Sequence, residues 1–308
     1  RRWMSVSRNL LDAIEGEIET VDDVHRVLAR DPDESLTFEC LFSLLATRTT
    51  SRVRRTIHTI VHDHERTAAS CPEKRLVTRM RQGVPLSSIA RERDYKLPAS
   101  ELVRKIVLPE LRDEKKLLVP REQLRAGEKP RLVRDGEKLK LKDIVHEQEQ
   151  RCIADESVRQ SVLEAVDSDR LNSPASDEAR RLIGLECEHV LMRKLIAAGV
   201  PFNTESQLKA QHAAKTPDFE LPIPIEVDGR IVNWIDSKGT FADHSVHAEC
   251  ADQYRAYVNR LGPGMVIYWC GFSSGLPEDD DVIVVDHFPA QVVTTRAASE
   301  GAVGRLLD

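Results

Sequence analysis

The sequence predicts a multidomain protein in which an all-helical N-terminal region precedes an α/β domain with a mixed central sheet. Three patterns support this. Apolar residues recur at three- and four-residue spacings through the first half, the period of an amphipathic helix. Two strand-forming runs then flank Asp228-Gly229, a strong two-residue hairpin signal. A helical stretch follows, then two more strand-like runs, and this order indicates an α/β domain with a mixed sheet. At 308 residues the chain has room for two domains, or three small ones.

In the helical region, Val6–Ile18, Val21–Ala29, Leu36–Leu45 and Val53–Val61 each carry the helical spacing. From Glu73 the pattern is more specific. Gln82-Gly83-Val84-Pro85 reads as a turn, Leu86–Glu92 as a short helix, Tyr95–Pro98 as a second break and Ala99–Val107 as another helix, with Ser100 placed for capping. Short helix, tight turn and second helix make a helix-turn-helix plan at about residues 73–112, within a helical region spanning 1–116. Ser100, Arg104 and Lys105 then lie on the recognition helix, flanked by Arg91 and Arg93, as nucleic-acid contacts. A helical bundle with a basic surface is the plainer alternative, since helical pairs often serve packing alone.

Leu117–Lys142 contains Pro120, Gly127, Pro130 and Gly136 among alternating charges and reads as a linker. With a helical stretch at Ile144–Val166 it makes up a charged linker and helix over 117–175. The polar break from Ser168-Asp169 to Ser176-Asp177 marks the main boundary, and the α/β domain occupies 176–300. There, a helix over Asp177–Ala198 ends at Gly199, a natural C-cap. Strands are expected at Phe219–Val227, Ile231–Lys238, Met265–Phe272 and Val282–Val285, with a helix over about Val246–Leu261.

Composition narrows the function. The chain is 41% hydrophobic and 31% charged, with a net charge of −6. No run approaches the ~20 apolar residues of a membrane span. The Arg1-Arg2-Trp3-Met4 opening lacks the apolar stretch of a secretory signal, so an intracellular location is expected. The six cysteines include no C-x-x-C pair, which argues for a reducing compartment and against a disulfide framework or zinc knuckle. Charge is unevenly spread: Ser51–Arg112 holds 14 Lys+Arg against 7 Asp+Glu, leaving −13 for the rest. Such a basic segment is an electrostatic footprint for phosphate backbones, with a solvated helical face as the competing explanation.

The chemistry centres on Thr216-Pro217-Asp218-Phe219 and Asp236-Ser237-Lys238. Two carboxylates offer hard oxygen ligands for Mg²⁺, and a nearby ammonium can orient water or stabilise charge, as phosphodiester hydrolysis requires. Asp-x-Lys occurs three times, but Asp94-Tyr95-Lys96 and Asp113-Glu114-Lys115 sit in polar sequence. Only Asp236-Ser237-Lys238 closes an apolar strand-like run. Residues two apart on a strand share a face, so Asp236 and Lys238 project together. On the preceding helix, Glu188 falls on the side of Leu185, Met192 and Leu195 and is the preferred third ligand, with Glu186 in reserve. Gln253 and Tyr254, with Tyr257, could bond substrate phosphate, although packing is an equal alternative for the tyrosines. Asp243, His244 and His247 read as polar residues at a helix start, and His58 and His62 as part of a solvated face.

These segments are similar to the PD-(D/E)XK nuclease superfamily, and more narrowly to the codanin-interacting nuclease family. Glu186-Cys187-Glu188, Lys215–Phe219 and Trp234–Lys238 carry the resemblance, strengthened by Asp252-Gln253-Tyr254, Asn259–Gly264 and Val266–Phe272. It runs over roughly Leu182–Pro289, with a fainter echo around Ile89–Ile106. The resemblance implies a restriction-endonuclease-like fold related to archaeal Holliday-junction resolvases, preceded by helical DNA-binding-like modules. It places Asp218, Asp236 and Lys238 in the acid, acid and lysine positions, Glu188 or Glu186 in the helix acid, and Gln253 in the polar position of the later helix. Gly239 and Ala242 depart from the common pattern, where relatives often have alanine and glycine.

The expected function is therefore a Mg²⁺- or Mn²⁺-dependent nuclease acting on DNA, with branched or single-stranded forms among the candidate substrates. In animals the resemblance implies a codanin partner and a nuclear and cytoplasmic location; in a prokaryote the expectation is cytoplasmic. A homodimer is left open. Two alternatives stand beside it: a non-catalytic adaptor that keeps the fold, for example in chromatin assembly, and a regulator led by the helix-turn-helix.

Overall fold

The computed structural model describes residues 14, 17–31, 36–119, 132–133, 141–142, 152–210 and 215–294. The chain forms two compact units, one of residues 48–179 and one in which residues up to 47 join those from 180 onward. Helix α1 (Val21–Leu28) opens with a capping box. The Thr20 side chain accepts from the Asp23 amide while Asp23 accepts from the Thr20 amide at 2.9 Å. Most of the expected Val6–Ile18 helix lies outside the described residues. The helices expected at Leu36–Leu45 and Val53–Val61 are one continuous helix, α2 (Phe38–Ser70). The intervening Ala46–Arg52 stretch contains no Gly or Pro to interrupt it.

The 48–179 unit is helical. It comprises the later part of α2, then α3 (Leu76–Arg81), α4 (Leu86–Ile89), α5 (Ala99–Leu102), a π turn (Val103–Val107), α6 (Leu108–Asp113) and α7 (Glu156–Ser168). Leu76, Val77, Leu86, Ile89, Leu102, Leu111, Val158 and Val162 form its core. Pro109 explains the π turn, because it has no N–H to offer the Lys105 carbonyl; the Leu108 amide instead reaches Val103 O. Buried Glu110 accepts from the amides of Leu76 and Val77, satisfying the start of α3, and lies 2.9 Å from His64 Nε2.

Three expectations change here. Ser100 is not an exposed cap: it is fully buried, its amide donates to Asp169 Oδ2, and Pro98 occupies the N-cap. The described ends of the expected Leu117–Lys142 linker are held in the core through Leu117, Val119, Val133 and Leu141, with Leu118 bridged to Leu132; the rest lies outside the described residues. The helix expected at Ile144–Val166 begins only at Glu156, where the Asp155 side chain caps it by accepting from the Val158 amide.

Helix α8 (Pro174–Ala197), which belongs to the second unit from residue 180 onward, ends before Gly199, whose φ of +67° suits glycine at a helix terminus. Next come β1 (Asn203–Thr204), α9 (Glu205–Ala210), β2 (Phe219–Val227), β3 (Arg230–Lys238), α10 (His244–Leu261), β4 (Gly264–Tyr268), β5 (Val282–Val285) and β6 (Val293–Thr294). The sheet order is β1-β2-β3-β4-β5, with β6 also pairing with β2. β1, β3 and β6 run antiparallel to β2, while β3/β4 and β4/β5 are parallel, so the sheet is mixed as expected. The hairpin closes at Val227↔Arg230 around Asp228 and Gly229, both at positive φ, the conformation a two-residue turn requires. The strand expected at Met265–Phe272 is shorter, ending at Tyr268.

Alternation along the strands sends residues to two cores. Phe219, Ile235, Met265 and Ile267 pack with Leu191 and Leu195 of α8, whereas Trp234, Val266 and Tyr268 pack with Tyr254 and Tyr257 of α10. The face of α8 that does this corrects the expected orientation: Leu185 is 47% exposed, and Cys187, Leu191 and Leu195 face the core. A tight loop before β4 secures the second core. Trp234 Nε1 donates to Gly262 O at 2.9 Å, and a Cβ on Gly264 would lie 2.0 Å from the indole ring. Gly264→Ala is therefore expected to cost about 3 kcal/mol or more by overpacking, read as a lower denaturant midpoint at unchanged slope.

Candidate metal centre

The sheet brings the two acids together. Phe219 pairs with Ile235, so one residue further along the antiparallel ladder Asp218 lies opposite Asp236, on the same face. Asp218 Oδ2 accepts from the Ser237 amide at 2.7 Å, which fixes its carboxylate against the end of β3. Asp236 is 1% exposed, and its Oδ2 lies 2.6 Å from Lys238 Nζ without hydrogen-bond geometry, so it is a buried oxygen lacking a hydrogen-bond partner. Beneath them Trp269 Nε1 donates to Ser237 Oγ at 2.8 Å, on the opposite side of the strand.

Electrostatics follows from this placement. Burial raises the Asp218 pKa to about 8, and the neighbouring Asp236 charge adds to the rise against the opposing effects of the Ser237 amide and Lys238. For Lys238, burial disfavours the charge, but the attraction of Asp236 outweighs it and the pKa lies above the usual lysine value. Lys238 is thus an ammonium at neutral pH, suited to stabilising negative charge rather than to accepting a proton. Glu188 also has a raised pKa, from burial and then from Glu205 and Asp236. Glu186 is exposed on the same helix. Of the two helix acids, Glu188 is the one in electrostatic contact with the pair.

Glu205, at the start of α9, escaped the sequence reading. Its amide donates to Asp218 O at 3.0 Å, and its carboxylate pairs with Lys209 at 2.8 Å. Thr204 and Gln207 cap this helix reciprocally, and that pattern, which brackets Glu205, was the available signal. Gln253 does not face open space with all its atoms: its Nε2 donates to Tyr257 Oη at 2.5 Å, and Tyr257 Oη donates to Thr216 O at 2.8 Å. Tyr254 and Tyr257 are buried, so packing describes them, and Gln253 supports the Thr216–Asp218 segment through Tyr257. Asp243 caps α10 as expected, whereas His247 is a buried residue 3.1 Å from Tyr268 Oη, with burial lowering its pKa.

The donor set suits a hard divalent cation: two facing carboxylates, one of them with a buried oxygen ion-paired to Lys238, and a third carboxylate in electrostatic reach. Among the described residues, no group of three or more His, Cys, Asp or Glu side chains is drawn together tightly enough to hold a metal. Asp218 and Asp236 face one another, and Glu188 is within electrostatic reach of both.

The proposed nucleic-acid residues fall in the other unit. Arg91, Arg93 and Lys105 are exposed. Arg104 is engaged, with Glu101 at 2.5 Å and Asp177 at 3.2 Å, and the burial of Ser100 removes its hydroxyl from any surface contact. No described helix is long and apolar enough to cross a membrane.

Comparison with known proteins bears on the same residues. A family model described as "Protein of unknown function TPD sequence-motif" matches residues 154–288. CDAN1-interacting nuclease 1 of Danio rerio is 43% identical over 122 residues, 39% of this chain and 41% of that protein. The Homo sapiens protein of that name is 38% identical over 145 residues, 46% of this chain and 52% of its own. That of Gallus gallus is 46% identical over 95 residues, 30% and 35% respectively. The chain thus spans about half or less of the length of these relatives. No solved structure matches. Both acids, the lysine and Glu188 lie inside the stretch matched by the TPD model, and in part of its length the chain is similar to the proteins named CDAN1-interacting nuclease 1.

Proposed function

We propose that this chain is a divalent-metal-dependent nuclease of the PD-(D/E)XK type that hydrolyses DNA phosphodiester bonds, aided by the helix-turn-helix-like region. The observation that carries it is the Asp218–Asp236 pair beside the Lys238 ammonium. Burial beside Asp236 favours a proton on Asp218 in the metal-free protein, and a bound cation would replace that proton and stabilise both carboxylates. Asp218 and Asp236, with Glu188, would hold Mg²⁺ or Mn²⁺. When bound, the cation supplies Lewis acidity at a phosphoryl oxygen and a stronger water nucleophile. Lys238 places fixed positive charge where phosphate charge develops. The Ser237 amide orients Asp218, and the Gln253–Tyr257–Thr216 chain keeps the Asp218 segment against the sheet. The names of the relatives support a codanin partner if the source is an animal. A homodimer belongs to the same proposal.

The test is cleavage of linear, flapped and four-way DNA with and without Mg²⁺ or Mn²⁺; metal-stimulated cleavage of any of them is the expected result. One observation favours the second reading, a non-catalytic adaptor: no described trio of ligand-type side chains converges to metal-binding distance. Metal-independent DNA or protein binding without cleavage across that panel would establish it. The helix acids give a sharper comparison. Glu188→Gln is expected to weaken Mg²⁺ affinity by about 10-fold or more, while Glu186→Gln leaves a calorimetric Mg²⁺ titration unchanged.

A further inference from the structure

The nuclease reading leaves open where the helical unit holds a nucleic acid, and a cleft within that unit addresses it. One face of α2 presents Thr50, Arg54 and His58 at successive four-residue steps, the spacing of helix neighbours. Opposite them lie Lys105, in the middle of the π turn, and Asn172, in the turn before α8. Together they line a cleft of about 500 Å³. Asn172 is 8% exposed, its amide is held by Asp169 Oδ1 at 2.9 Å, and its side-chain Nδ2 has no hydrogen-bond partner.

A buried N–H without an acceptor is unfavourable, and its natural complement is an oxygen from a ligand. The other groups specify which oxygen. A guanidinium, an ammonium, a hydroxyl and an imidazole around one carboxamide donor match the several acceptor oxygens and negative charge of a phosphate. Glu101 also lines the cleft and opposes an anion, but its carboxylate is engaged by Arg104 at 2.5 Å. The π turn is fixed by Pro109, so Lys105 is carried on a defined segment of backbone.

We propose that this cleft is a phosphate-binding site, with Lys105 and Asn172 as its principal contacts. Resting on the nuclease reading, the phosphate is one of the backbone of the bound nucleic acid. The contact moves from the expected helix-turn-helix face to the seam between α2 and the π turn. Ser100 is enclosed and Arg104 paired, so of the three residues expected on the recognition helix Lys105 is the one that lines the cleft.

The test uses the full chain in EDTA, so that binding is measured without cleavage. Inorganic phosphate is titrated calorimetrically, and a labelled DNA duplex by anisotropy across a salt series, for the wild type, Lys105→Gln and Asn172→Leu. For a backbone phosphate, each variant weakens DNA binding by about 3- to 10-fold, and Lys105→Gln lowers the salt slope by about 1. Asn172→Leu removes the unpaired donor, so the free protein's Tm holds or rises while its affinity falls, a combination that simple unfolding cannot produce. Loss of phosphate binding in both variants with DNA affinity unchanged assigns the site to a free phosphate or phosphomonoester. Unchanged binding of both ligands overturns the proposal. Turnover of a small chromogenic phosphodiester with Mg²⁺ is read separately: the wild type shows it and Asp236→Asn loses it if the nuclease reading holds. If wild type and Asp236→Asn show the same turnover, the nuclease reading fails and the cleft stands on the EDTA data alone.

Discussion

Asp236→Asn is expected to reduce metal-dependent DNA cleavage at least about 1,000-fold, roughly 4 kcal/mol of transition-state stabilisation, while the protein remains folded. Asparagine preserves the shape of a side chain that is 1% exposed, so packing around β3 is retained. Two electrostatic changes oppose each other. The 2.6 Å contact with Lys238 is lost, but so is the repulsion that helps to raise the Asp218 pKa. The lysine side chain is 24% exposed and can turn its charge to water. Single-turnover cleavage of four-way and linear DNA, with thermal unfolding followed by circular dichroism, separates the two effects. Cleavage within tenfold of wild type in a folded variant would remove Asp236 from the chemistry.

The second large effect is in pH. Asp218 titrates near pH 8 in the folded metal-free protein, against about 4 for an unfolded aspartate. Between these values the native state binds the extra proton, so unfolding free energy falls as pH rises. The stability contributed by the protonated carboxyl is complete below about pH 4 and is lost by about pH 8, a change of several kcal/mol. A cation reverses the sense, since binding expels the proton. Mg²⁺ affinity should rise about tenfold per pH unit up to pH 8 and level off above it. Urea unfolding in EDTA across pH 5–9 and Mg²⁺ calorimetry at the same values measure the two limbs. Asp218→Asn should flatten both, and a wild-type Mg²⁺ affinity independent of pH would show that no proton is displaced.

The parts of this molecule that could be read from sequence are those written in local pattern. Asp228-Gly229 set between strand formers fixes the hairpin, and strand alternation places Asp236 and Lys238 on one face. The helix period over Glu186–Leu195 separates Glu188 from Glu186, although Leu185 proved exposed because the buried stripe lies one step round, at Cys187, Leu191 and Leu195. What escaped depends on contacts distant in sequence. Ser100 is held by Asp169, 69 residues away, and Glu205 reaches the site through its amide on the Asp218 carbonyl and its charge on Glu188. The join of two expected helices into α2 escaped because threonines and arginines neither mark nor forbid a helix interior.

The prolines of β2 carry one last consequence. Between Glu220, opposite Trp234, and Ile225, opposite Val232, β2 spends five steps where β3 spends two, and Pro222 and Pro224 lie in that interval. Proline cannot donate to a ladder, so pairing is surrendered there and resumes on the far side. The acid pair and the hairpin tip are therefore registered independently. Lengthening or shortening the turn at Asp228-Gly229 would reset which side chains of Ile225–Ile231 face inward, yet leave Asp218 opposite Asp236. Variation at the tip of this ribbon is decoupled from the register of the acid pair at its base, so its cost falls on the core around Ile225 and Val227.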